Sequence, residues 1–85
     1  MSKIIMGIEV ENRIDTATKV QALLTDFGCF IKTRIGLHEA SDEGDLCSQK
    51  GLIILEFIKN TQEKAKELEE SIKELKGVVV KIMEF

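Results

Sequence analysis

Residues 30–58 read FIKTRIGLHEASDEGDLCSQKGLIILEFI. This stretch holds two apolar, β-branched runs separated by a long polar connection, and it is read as strand, loop and strand. In the first run, Cys29, Ile31, Thr33, Ile35 and Leu37 share one parity, and Phe30, Lys32, Arg34, Gly36 and His38 share the other. The second run, Leu52–Ile58, places Ile53, Leu55 and Phe57 on its core face, because Glu56 falls on the opposite parity. Two strands so close in sequence pair as an antiparallel hairpin. A long connection inside so short a chain is also where function is expected.

Working outward, Lys3–Val10 alternates, with Ile4, Met6, Ile8 and Val10 on one side of a half-buried strand. Asp15 or Thr16 then offers a helix cap. Ala17, Val20, Leu24 and Phe27 follow at helical spacing, with Leu23 at the edge of the stripe. Gly28 supplies a stop that tolerates positive φ. Beyond the hairpin, Asn60-Thr61-Gln62-Glu63 has the form of a capping box with Asn60 as the cap. Ala65, Leu68, Ile72 and Leu75 form the apolar stripe of a second helix, Glu69 and Lys73 are an i,i+4 pair, and Gly77 ends it. Val78–Phe85 is a last strand whose facing stays open, since Val78, Val80 and Ile82 compete with Val79, Met83 and Phe85.

The order β-α-β-β-α-β predicts an α+β, ferredoxin-like fold: a four-stranded antiparallel sheet with two helices on one face. Its other face is expected to be polar, yet parity leaves Ile5, Phe30, Leu52, Ile54 and Ile58 there. An apolar patch of this kind marks an interaction surface, and the chain is expected to form a homo-oligomer, a dimer or tetramer.

Bulk properties agree. The 85 residues make a single domain, 1–85, with 44 % hydrophobic and 32 % charged residues. A net charge of −3, with lysines and glutamates interleaved along 59–76, argues against nucleic acid as a partner. The N-terminal run is too short for a signal peptide, and no apolar stretch approaches the ~20 residues of a membrane span, which predicts a cytoplasmic chain without membrane contact. The two cysteines do not make a disulfide framework. Cys29, beside Phe27 and Phe30, reads as a small buried hydrophobe.

The connection concentrates chemistry. His38, Glu39, Asp42, Glu43, Asp45 and Cys47 are all of metal-ligand type. The His38-x8-Cys47 spacing matches no compact zinc pattern, so His38 and Cys47 as a metal pair imply a shared or redox-sensing site; a solvated acidic loop is the plainer account. Cys47 or Ser48 as a nucleophile with His38 as base lacks the orienting third group that catalysis needs, so the chain is not expected to be an enzyme. Arg34 and Lys32 can receive a carboxylate or phosphate beside Gly36, or else pair with Glu9 or Glu56 across the sheet. The candidate ligand-binding residues are therefore Arg34, His38, Glu39, Cys47 and Ser48. The sequence does not identify a cofactor.

Three segments carry a family resemblance: Gly7-Ile8-Glu9-Val10-Glu11-Asn12-Arg13, Arg34-Ile35-Gly36 and Gly77-Val78-Val79-Val80-Lys81. With these the chain resembles the iron-only hydrogenase system regulators, small proteins of ACT-like architecture, or a sister family sharing that scaffold. The resemblance implies a regulatory module that senses a small-molecule effector at subunit interfaces. Linkage would then be the mechanism, a ligand favouring one assembly or loop state by its differential affinity. Two other readings of the residues remain: a metal-binding or redox-sensing protein using His38 and Cys47, and a purely structural assembly domain.

Overall fold

The computed structural model describes the backbone of residues 3–11, 14–40 and 47–85, and the side chains of residues 3–10, 16–36 and 51–85. Strand β1 is Ile4–Glu11, helix α1 Ile14–Asp26, β2 Ile31–Ala40, β3 Cys47–Phe57, α2 Gln62–Lys73 and β4 Val78–Glu84. The strands form one sheet in the order β2-β3-β1-β4, and every neighbouring pair is antiparallel. This is the expected ferredoxin-like arrangement.

The core lies between the sheet and the two helices. The sheet contributes Ile4, Met6, Ile8 and Val10 from β1, Ile53, Leu55 and Phe57 from β3, and Val80 from β4. The helices contribute Val20 and Leu24 from α1 and Ala65, Leu68 and Ile72 from α2. Pairing of Met6 with Ile82, Ile8 with Val80 and Val10 with Val78 settles the facing of β4: Val78, Val80 and Ile82 point to the helices. Val79 and Met83 take the other face, 50 % and 57 % exposed.

The helix boundaries differ from expectation in instructive ways. Helix α1 begins at Ile14, so Asp15 and Thr16 lie in its first turn rather than capping it. The cap of α2 is Thr61, not Asn60. Asn60 takes a left-handed backbone (φ 64°), and the Thr61 hydroxyl donates back to the Ile58 carbonyl at 2.7 Å rather than accepting from a helix amide. The outer face of α2 carries Lys73–Glu69 and Lys64–Glu67 pairs, each at 3.4 Å.

Only one of the two helix-stop glycines adopts the conformation that favours glycine. Gly77 has φ 78°, whereas Gly28 opens a short 3-10 turn, Gly28–Phe30, with no positive φ. Gly77→Ala is expected to lower stability by about 1–2 kcal/mol, because Cβ crowds the backbone in the left-handed region. Gly28→Ala should stay within about 0.5 kcal/mol, since a Cβ there meets nothing within 4 Å. Urea denaturation of the two variants checks the contrast.

That 3-10 turn reshapes the start of β2. The strand begins at Ile31, not Cys29, and Cys29 is exposed rather than buried. Phe30 turns to the helix side, packs against the core and stacks beside Phe27, ring centroids 6.3 Å apart, with the Lys64 ammonium 5.5 Å from its ring centre. It is not part of the open sheet face. An irregularity in register follows: Ile31 lies opposite Phe57, but Thr33 lies opposite Glu56. The extra residue, Lys32, reverses the parity. Ile31 therefore faces the core, while Thr33 and Ile35 face away from it, and the three do not share a face.

Candidate functional site

The same irregularity moves Arg34 to the helix side of the sheet, opposite the fully buried Leu55. Sequence parity had placed it on the open face, within reach of Glu9 or Glu56. Instead Glu56 accepts a hydrogen bond from the Thr33 hydroxyl at 3.2 Å and lies 3.9 Å from the Lys3 ammonium. The Arg34 guanidinium donates to the side-chain carbonyl of Gln21 on α1. It has no carboxylate partner among the described residues. One amide oxygen leaves most of the five guanidinium N–H donors unused, and they form a planar fork suited to carboxylate or phosphate.

Next along the helix side of β2 comes Gly36, opposite Ile53, and then position 38, opposite Gly51. A Cβ at Gly36 would meet nothing within 4 Å. The absence of side chains at Gly36 and Gly51 leaves bare backbone beside an arginine, which is where a ligand can approach main-chain groups closely. Helices α1 and α2 lie over β1 and β4 and leave this edge of the sheet less covered.

The hairpin is longer than the sequence suggests. Strand β2 runs through His38 and Glu39 to Ala40, and β3 resumes at Cys47 and Ser48, with Ala40 paired to Cys47. All five candidate ligand residues thus stand on strands rather than in a loop. A second register irregularity separates the His38–Gly51 and Ala40–Cys47 pairs. The side chains of His38, Glu39, Cys47 and Ser48 lie outside the described residues, as do Asp42, Glu43 and Asp45 altogether. Among the described residues no group of three or more His, Cys, Asp or Glu is placed to hold a metal ion. Nor, among them, is any helix long and apolar enough to cross a membrane. Gln21 was missed from sequence; it lies on the polar side of the α1 stripe, and nothing local marks it as the partner of a residue on β2.

No protein-family model matches the chain, and no curated protein sequence matches it. Solved structures do. The uncharacterized protein TM1266 from Thermotoga maritima superposes with a TM-score of 0.76 at 23 % identity, covering 100 % of this chain and 99 % of that one. The ACT domain from GTP pyrophosphokinase of Chlorobium tepidum gives 0.66 at 20 % identity, over 95 % and 96 % of the two chains. CPII, a nitrogen regulatory PII-like protein from Thiomonas intermedia K12 bound to ADP, AMP and bicarbonate, gives 0.65 at 14 % identity, over 100 % and 91 %. At these identities the likeness is one of fold, and the fold is that of ACT domains and PII-like proteins.

Proposed function

We propose that the chain is a single-domain regulatory module without catalytic activity, which self-associates in the cytoplasm and senses a small anionic effector at the β2-β3 hairpin. The observation that carries this reading is Arg34: a guanidinium without a carboxylate partner among the described residues, beside the open backbone of Gly36, at the base of a hairpin. Arg34 holds the carboxylate or phosphate of the ligand. His38, Glu39, Cys47 and Ser48, farther along the hairpin, contact the ligand or a neighbouring subunit. Binding that favours one assembly would change the affinity for the partner subunit by the same free energy. A role as an iron-only hydrogenase system regulator, which the strand motifs suggest, is one setting for such a module. The PII-like and ACT neighbours support the reading through the scaffold they share, and the PII-like protein, bound to two nucleotides and bicarbonate, suggests the first probes.

Titration calorimetry with AMP, ADP, bicarbonate and a set of free amino acids tests it. At least one probe should bind, and Arg34→Ala should weaken that binding about 10- to 100-fold, with Arg34→Lys intermediate because it keeps the charge but loses the fork. Flat thermograms for every probe with the wild-type chain would overturn the proposal. A parallel titration with zinc alone, repeated on His38→Ala and Cys47→Ser, addresses the metal-binding reading of those two residues. Stoichiometric uptake abolished by both changes would favour that reading instead.

A further inference from the structure

The face of the sheet turned away from the helices is exposed and largely apolar. Its outward positions form rows across the strands: Thr33, Glu56, Ile5 and Met83, then Ile35, Ile54, Gly7 and Lys81, then position 37, Leu52, Glu9 and Val79. Ile35, Leu52, Val79 and Met83 are 48 %, 37 %, 50 % and 57 % exposed. Among the described residues of this face stand four charged groups, two of each sign. Lys3 and Glu56 lie 3.9 Å apart and satisfy each other. Glu9 and Lys81 have no ion-pair partner among the described residues. Between them Gly7 leaves a gap, since a Cβ there would meet nothing within 4 Å.

We infer that this face docks on the same face of a second copy of the chain, with Glu9 of each copy entering the gap above Gly7 of the other and pairing with its Lys81. The inference rests on reading the chain as an oligomeric module and names the surface that makes it one. A two-fold axis crossing the strands between the Gly7 and Glu9 rows sets Glu9 over Gly7 of the second copy and Ile54 over its Leu52. With packed sheets about 10 Å apart and strands about 4.8 Å apart, the α-carbons of Glu9 and the opposing Lys81 stand roughly 11 Å apart, which extended side chains bridge. The area suffices: four strands by the seven paired residues of β1 and β4 span roughly 19 by 24 Å, and side-chain relief raises this to on the order of 700 Å², near the ~800 Å² per partner of a specific interface. The balance of charge selects the occupant. An anionic polymer or membrane surface needs an excess of cations, whereas one free acid and one free base about a two-fold axis are self-complementary.

Sedimentation of the full-length chain from low micromolar to about 100 µM tests this, using wild type, Glu9→Lys, Lys81→Glu and the double exchange. The wild type should dimerise. Each single variant should raise the dissociation constant at least about tenfold by setting like charges together, and the double exchange should return it to within about threefold of wild type. Circular dichroism should be the same for all four, because both side chains are exposed. A wild-type monomer at the highest concentration, single variants without effect, or a double variant no better than the worse single would each overturn the inference. The last two outcomes would also show that any oligomer forms through another surface. Calorimetry on Arg34 is read separately, so a failed charge exchange with effector binding intact overturns the interface and not the sensing module.

Discussion

Ile8→Asp is expected to abolish the folded state, while Ile54→Asp is expected to leave it standing. The two positions are nearly side by side, since Gly7 lies opposite Ile54 and Ile8 opposite Ile53. They differ in face. Ile8 is fully buried, with Val80 and Ile53 on either side in the sheet and the helices above. A carboxylate there has no cation to meet, and burying it unpaired costs several kcal/mol beyond the lost apolar contacts. The total stability of an 85-residue domain is on the order of 4–13 kcal/mol, so little or nothing remains. At Ile54 the carboxylate looks out from the open face, so within one chain it keeps its water, and its cost falls on the contact with a second copy rather than on the fold. Far-ultraviolet circular dichroism and guanidinium unfolding of both variants give the comparison. Equal damage from the two substitutions at concentrations where the chain is monomeric would contradict the open face.

Leu68→Ala is expected to lower stability by about 3 kcal/mol, within the roughly 2–5 kcal/mol range of buried leucine truncations. Leu68 is fully buried on the apolar face of α2, between Ala65 and Ile72, in a core built from both helices and three strands. Deleting its branched end leaves a cavity that neighbours on two secondary-structure layers cannot collapse to fill. At about 4–8 °C per kcal/mol for a domain of this size, the melting temperature should fall by about 12–24 °C. Leu75, only half-buried beyond the end of α2, should cost clearly less on the same change. Urea midpoints at unchanged slope would attribute both losses to the folded state.

How far the fold was readable depended on which periodicities survived intact. Helix α2 was readable because Ala65, Leu68 and Ile72 repeat at its own pitch, and packing then required nothing else. The facing of β1 was equally readable, because Ile4, Met6, Ile8 and Val10 alternate without interruption. The errors cluster between Phe27 and Thr33. A 3-10 turn and an extra residue in the ladder each shift parity by one step, and neither carries a distinctive residue: Lys32 is neither glycine nor proline. Phe30 was consequently expected on the wrong face, Cys29 was expected buried, and Arg34 was expected beside acids on the side of the sheet it does not face. The ambiguity of β4 had a different origin. Both of its parities are mostly apolar, since one meets the helices and the other lies on the open face, so alternation held little information there.

The candidate site divides along the same line. Arginine, histidine and cysteine along one hairpin were visible in the chain as residue types, because chemistry belongs to the side chain. Their company was not. Gln21 meets Arg34 because the long side chains of α1 and β2 reach each other across the fold, and the gaps at Gly36 and Gly7 exist because no neighbour in three dimensions fills them. Element order, helix stripes and the presence of two apolar sheet faces follow from local spacing along the chain. Which side each β2 residue takes, which charges find partners and which glycines open space follow from strand register, and register is set by residues far apart in sequence.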